Sequence, residues 1–212
     1  MPLTEFLSQI EKEVQEKEAV KDEVYKAMRE AIHTSKQAIF STHKRKFEEA
    51  RKLLMRARRL FAKLDEIPSA HRDVAYSGLV DAAYQEFTEA HLFLKIALDK
   101  RLVGPKKIKV PSTSYLLGLA DVVGELRRLT LDSLRKGDLK AAENSLETME
   151  IIYDGIMSMD EALHVVGELR RKSDIARRII EATRGDVTAE ARKHSLERSI
   201  EKLEKIAREY RR

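Results

Sequence analysis

Apolar residues recur at intervals of three and four along nearly the whole chain, and little interrupts them: 212 residues hold only 8 glycines and 4 prolines. Phe6, Leu7, Ile10 and Val14, then Val24, Ala27, Met28, Ala31 and Ile32, trace one face of a first long helix. Ser41-Thr42-His43 reads as a cap into a second helix. Ile67-Pro68-Ser69 ends that helix, because proline disfavours helical backbone in the residue before it. A third helix is expected from about Ser69 to Arg101. The clearest loop follows at Gly104–Pro111, and Ser112 or Thr113 caps a fourth helix that stops at Gly137. Asp138 caps a fifth reaching Asp154-Gly155, Ser158 or Asp160 opens a sixth ending at Gly185, and Thr188 to Tyr210 forms the last. The expectation is an all-α fold of about seven helices, one domain over residues 1–212, arranged as an elongated antiparallel bundle. Helices this long cannot bury their apolar stripes alone, so stripe left over on the outermost ones calls for a second subunit.

Composition narrows the chemistry. With no cysteine, disulfide scaffolds, zinc ribbons and thiol nucleophiles are excluded, and a reducing cytoplasm is the expected setting. Met1-Pro2-Leu3-Thr4-Glu5 shows no export leader, and no apolar run approaches a membrane span, so a soluble protein is expected.

Net charge is a modest +5, but its distribution is uneven. Residues 1–34 carry five basic and eight acidic side chains, whereas residues 43–63 carry nine basic and two acidic. Lys44, Arg45, Lys46, Arg51, Arg56 and Arg59 are the candidates in that segment for contacting nucleic-acid phosphates. A solvated face of a bundle helix accounts for the same run equally well.

Phosphate loops, His-Glu-x-x-His pairs and nucleophile elbows are all missing from the sequence. What remains is acidic. Glu86 and Glu89 lie three apart beside Ala82, Ala83 and Phe93, and Asp121 and Glu125 lie four apart in the nearly uncharged stretch Leu117–Leu126. Carboxylates on an apolar stripe are unfavourable unless a cation, an arginine or a proton neutralises them. Consecutive helices joined by a short loop tend to be antiparallel neighbours, so these four acids are candidates to converge. An all-oxygen set suits Mg²⁺, or Mn²⁺, better than zinc or copper, and such an ion acidifies water and clamps phosphoryl oxygens. From spacing alone the commoner outcome is a salt-bridged pair, with Arg72, Arg127 and Arg128 near enough in sequence to serve. The six histidines form no triad-like pattern and read as packing or surface residues. Gly118 and Gly124 thin the fourth helix beside Asp121, for close helix approach or for ligand access.

The ordered motifs Tyr84-Gln85-Glu86-Phe87-Thr88-Glu89-Ala90, then Val110 through Leu126 with its Leu117-Gly118-Leu119-Ala120-Asp121 core, then Gly137-Asp138 and Tyr153-Asp154-Gly155, resemble the translin superfamily. The nearer branch is that of translin-associated factor X (Trax), in an archaeal-type form, and the likeness covers roughly residues 20–185. It implies a seven-helix all-α fold assembled into a closed octameric shell that binds single-stranded RNA and DNA. It also implies metal-dependent RNA cleavage, with Glu86, Glu89 and Asp121 as catalytic metal ligands and Glu125 completing the set. In the resemblance, Asp121 separates the nuclease type from translin itself. The long insertion of eukaryotic Trax between the third and fourth helices is reduced here to Gly104–Pro111, and a homo-oligomer is the simplest assembly.

The resulting expectation is a Mg²⁺-dependent endoribonuclease acting on single-stranded RNA inside a homo-oligomeric shell. Its alternative is a translin-type protein that holds single-stranded RNA or DNA without cutting it. A third reading, a nucleoside triphosphate pyrophosphohydrolase, follows from the acidic all-α bundle alone.

Overall fold

The computed structural model describes residues 3–210. Met1 and Pro2, on which the reading of the chain's start partly rests, lie outside the described residues, as do Arg211 and Arg212 of the C-terminal basic excess. Among the described residues the chain is helical throughout with no strand. Its helices are α1 (Leu3–His43), α2 (Phe47–Leu60), α3 (Gly78–Asp99), the single turn α4 (Pro105–Ile108), α5 (Ser112–Arg135), α6 (Leu139–Met157), α7 (Asp160–Val165) and α8 (Leu169–Glu209). Short 3₁₀ segments at Phe61–Leu64 and Ser69–Tyr76 join α2 to α3. None of the helices is long and apolar enough to cross a membrane.

Several boundaries differ from the sequence expectation, each for a local reason. Ser41 and Thr42 do not cap α2; they lie buried inside α1, where the Thr42 hydroxyl donates to the Ala38 carbonyl at 2.8 Å. The chain turns instead through Arg45, whose φ of 58° is left-handed. Residues 69–76 form 3₁₀ turns rather than the start of α3, because Pro68 is extended and His71 falls out of helical geometry. Gly185 does not end a helix. The break falls at residues 166–168, where Val166 is extended, and α8 then runs unbroken past Gly185. A helical glycine costs only about 1 kcal/mol relative to alanine, which strong helix formers on both sides offset. The expected stop and cap at Gly137-Asp138 are present, with φ of 73° at Gly137 and the Asp138 carboxylate accepting from the Ala141 amide at 3.0 Å.

The chain comprises two compact units, one extending to Leu119 and the other starting at Ala120, so the division falls within α5. In the first unit α1, α2 and α3 pack on one another around Met28, Ala31, Leu54, Phe61, Phe87 and Leu94. Phe61 stacks on Tyr84 at 4.3 Å between ring centres and meets Phe87 edge-on at 5.4 Å, fixing α3 against the end of α2. In the second unit α6 and α7 pack on α8, with Leu146, Met149, Ile152, Leu169, Ala176 and Ile180 buried. Buried Ser and Thr recur at these helix contacts, and Thr88, Thr130, Ser145, Ser173 and Thr183 each return the hydroxyl proton to the carbonyl four residues back. Their small, internally satisfied side chains let helix backbones approach closely.

His91, on α3, is held largely away from solvent. Burial, reinforced by the charges of Lys95 and Arg58, pushes its pKa down from 6.5 to about 4. The folded protein therefore keeps this imidazole neutral at pH values where the unfolded chain takes up a proton. The stability tied to the neutral ring is complete above pH 6.5 and is lost as pH falls toward 4. Between pH 7 and pH 5 the loss amounts to about 2 kcal/mol. Urea unfolding at the two pH values should register it, and the difference should shrink in His91→Phe; equal pH dependence in both proteins would refute the assignment.

Candidate metal and nucleic-acid site

Helical spacing places Glu86 and Glu89 on either side of Thr88 on α3, and Asp121 and Glu125 one turn apart on α5. All four carboxylates are half-buried. Glu86 and Asp121 are 24% and 25% exposed, too enclosed to rely on water alone, and each is met by an ammonium group. Lys36 of α1 brings its Nζ to 3.4 Å from Glu86 Oε1. Lys172 of α8 donates to Asp121 Oδ1 at 2.6 Å and is itself only 17% exposed. Glu89 and Glu125 are likewise engaged with neighbouring groups.

Both lysines lie about fifty residues away in sequence, far beyond the nearby arginines that spacing nominates. Arg72 instead donates to the Leu64 carbonyl at 3.5 Å. The Asp121–Lys172 pair lines a cleft of about 160 Å³ in the second unit, with Ala120 and Gly124 from α5 and Ile175, Ala176 and Ile179 from α8. Gly124 has nothing within 4 Å of where a Cβ would stand, so it leaves space beside Asp121.

Gly118 plays the other role foreseen for a small residue. A Cβ there would lie 2.6 Å from the Gln85 carbonyl oxygen and 2.7 Å from Thr88 Cβ, so α5 crosses close against the α3 backbone at Gln85 and Thr88.

Carboxylate oxygens are hard donors of the kind a divalent cation takes, and at Glu86 and at Asp121 a positive charge is already accommodated. Among the described residues no group of three or more His, Asp or Glu side chains is arranged to hold a metal ion in this conformation.

The basic segment divides by helix face. Arg51 pairs with Glu48 at 2.7 Å, and Lys46 with Glu49 at 3.4 Å. Arg56 turns the other way and binds Glu30 of α1 through its Nε at 3.1 Å. Lys44 sits 4.2 Å from the centre of the Phe40 ring, Arg45 occupies the left-handed turn, and Arg59 is exposed. All six reach solvent, but three spend their charge on a glutamate. Arg58, missing from the sequence candidates, donates to the Lys109 carbonyl at 2.8 Å and ties α2 to the turn after α4. Only the remote contact identifies it.

Comparison with known proteins adds an independent line. A model of the Translin family matches residues 19–208. An uncharacterised protein of Methanocaldococcus jannaschii, MJ0175, is 32% identical over 172 residues, covering 81% of this chain and 76% of that one. Translin-associated protein X of Rattus norvegicus is 37% identical over 57 residues, only 27% of this chain and 19% of the rat protein. Among solved structures, AfC3PO in complex with duplex RNA superposes with a TM-score of 0.76 at 34% identity, covering 87% of this chain and 96% of that one.

Proposed function

Because this chain belongs to the translin family, we propose that it binds RNA and cleaves it with the help of a divalent cation, Mg²⁺ or Mn²⁺, as a homo-oligomer. The observation that carries the catalytic part is Asp121, a half-buried carboxylate in a cleft, already neutralised by a cation and flanked by the open space at Gly124. In this reading Glu86, Glu89 and Asp121 hold the ion and Glu125 completes or orients the set. A divalent cation, when bound, supplies Lewis-acid stabilisation of the phosphodiester and a more acidic water. Lys44, Arg45, Lys46, Arg51, Arg56 and Arg59 steer the phosphate backbone, Arg51 and Arg56 exchanging glutamate partners for phosphate oxygens. Few aromatics are available to stack bases, so electrostatics dominate and sequence preference is weak.

RNA binding draws support from the likeness to AfC3PO, whose solved complex contains duplex RNA. Single-stranded RNA is the substrate that the Trax resemblance implies, with single-stranded DNA as a second ligand.

Association with further copies, into the closed octameric shell that the resemblance implies, draws support from two helix ends. Residues 3–19 of α1 are exposed all round, yet Leu3, Leu7, Ile10 and Val14 keep a spacing of four, three and four. Leu196, Ile200 and Leu203 keep a four and three spacing on the exposed end of α8. Such seams have the period of helices that bury them against another helix, here in a second copy. Replacing Ile200 and Leu203 by Asp should yield a smaller sedimenting species; an unchanged sedimentation coefficient would remove α8 from the interface.

A specific observation favours a second reading, in which RNA is held but not cut: Lys36 and Lys172 already neutralise Glu86 and Asp121, so burial of these acids needs no metal. Labelled single-stranded RNA, duplex RNA and nucleoside triphosphates, each incubated with Mg²⁺ or chelator, separate the readings. Chelator-sensitive RNA cleavage supports the nuclease. Salt-sensitive binding without cleavage supports the holder, and triphosphate hydrolysis alone would indicate a pyrophosphohydrolase.

A further inference from the structure

Between α2, α3 and the turn after α4, within the first unit, lies a cavity of about 510 Å³ that neither the acids nor the proposed shell contacts use. Its volume falls within the range of roughly 300–1,000 Å³ typical of small-molecule sites. Its floor is apolar and partly aromatic, formed by Leu54, Phe87, Leu94, Leu98 and Ile108. Around it stand six cations, Arg51, Lys52, Arg58, Lys95, Lys107 and Lys109, with Arg51 paired to Glu48 in the lining and Lys95 paired to Asp99 beside it. These charges come from three separate elements, so together they surround the opening and do not merely follow one helix face. Arg58 donates to the carbonyls of Ile108 at 3.4 Å and Lys109 at 2.8 Å, which fixes the turn as one wall.

One polar group stands in the lining. The His91 ring packs 5.8 Å from the Phe87 ring, and its Nδ1 is buried with no hydrogen-bond partner. An uncharged imidazole with Nδ1 sealed in protein leaves Nε2 as the nitrogen able to meet a ligand.

We propose that this cavity binds one nucleotide unit, its base against the apolar and aromatic floor beside His91 and its phosphate against Arg51, Lys52 and Lys107 at the mouth. An aliphatic acid would use the cations but not the imidazole, and a neutral aromatic would use the floor but not the cations. A nucleotide uses both. The two sources of that chemistry are a free nucleoside monophosphate and the 5′-phosphorylated end of an RNA. Only the second rests on the RNA-binding proposal.

Calorimetric titration of the full chain with AMP, adenosine, inorganic phosphate, decanoate, and a pentaribonucleotide with and without a 5′-phosphate tests it. AMP should bind at least about tenfold more tightly than either adenosine or phosphate, as expected when charge-assisted hydrogen bonds and apolar burial act together. A Lys52→Glu/Lys107→Glu variant, exposed on the surface and so expected to fold, should lose about tenfold in AMP affinity. Preference for the 5′-phosphorylated pentamer over its unphosphorylated form identifies an RNA end as the occupant; AMP binding without that preference identifies a free nucleotide. Absence of binding by both AMP and the phosphorylated pentamer at millimolar concentration overturns the proposal, as does tighter binding of decanoate than of AMP. Long RNA retained at low salt by a protein failing those tests would leave the RNA-binding proposal standing and remove only the pocket.

Discussion

RNA cleavage by an Asp121→Asn variant is expected to fall by about 100-fold or more, the range in which removing a single electrostatic stabiliser falls, while RNA affinity stays within about threefold. Asparagine has the same shape and keeps an oxygen for the 2.6 Å hydrogen bond from Lys172, so the contact between α5 and α8 survives. What disappears is the negative charge. A neutral amide is a poor ligand for Mg²⁺, and the charge balance of the proposed site shifts by one unit. The phosphate-steering cations lie on and around α2 in the other unit, so backbone affinity should scarcely change. Cleavage rates and RNA binding measured on the same preparation, with a thermal melt to confirm folding, decide the matter. Wild-type cleavage in this variant would remove Asp121 from the chemistry. Parallel losses in cleavage and melting temperature would reassign it to a structural ion pair.

Gly118→Ala is expected to destabilise the protein by about 2 kcal/mol, within the usual cost of overpacking a tight contact. Alanine is favoured over glycine in a helix by about 1 kcal/mol, so the steric cost must exceed that gain. It does so because the new methyl group would meet the Gln85 carbonyl oxygen at 2.6 Å and Thr88 Cβ and Cγ2 at 2.7 and 2.9 Å. Backbone cannot rotate aside as a flexible side-chain tip can, and Thr88 is fully buried with its hydroxyl committed to the Tyr84 carbonyl at 2.7 Å. Gly124→Ala is the control. With nothing within 4 Å of its Cβ position, it should gain the helix-propensity term and stabilise by up to about 1 kcal/mol. Chemical denaturation of the two variants should therefore move in opposite directions. Equal shifts of the same sign would show that the close approach of α3 and α5 does not limit stability.

The pair Gly118 and Gly124 also shows how far a linear reading reaches. Both stand in the same apolar, glycine-interrupted stretch, and their two possible roles can be stated from the sequence. Which residue has which role depends on another helix: Gln85 and Thr88 arrive against one glycine and nothing arrives against the other. The acids behave similarly. Their need for a neutralising cation follows from their place on an apolar stripe, but the partners Lys36 and Lys172 lie too far along the chain for spacing to nominate them. In the sequence His91 is one of six histidines without a pattern, and its enclosure beside Phe87, Arg58 and Lys95 is what distinguishes it.

The sequence by itself determined that this chain is all-α, where most of its helices run, and which of their faces carry acids, cations and apolar stripes. Those properties repeat every three to four residues and depend on backbone and side chains within a turn or two. The tertiary structure alone decided which lysine meets which carboxylate, which cations of α2 face the cavity and which face α1, and which glycine marks a helix crossing. Each of those depends on a segment tens of residues distant, brought into contact by burial of the shared apolar faces, and a non-directional force of that kind leaves no mark in the local spacing of either partner.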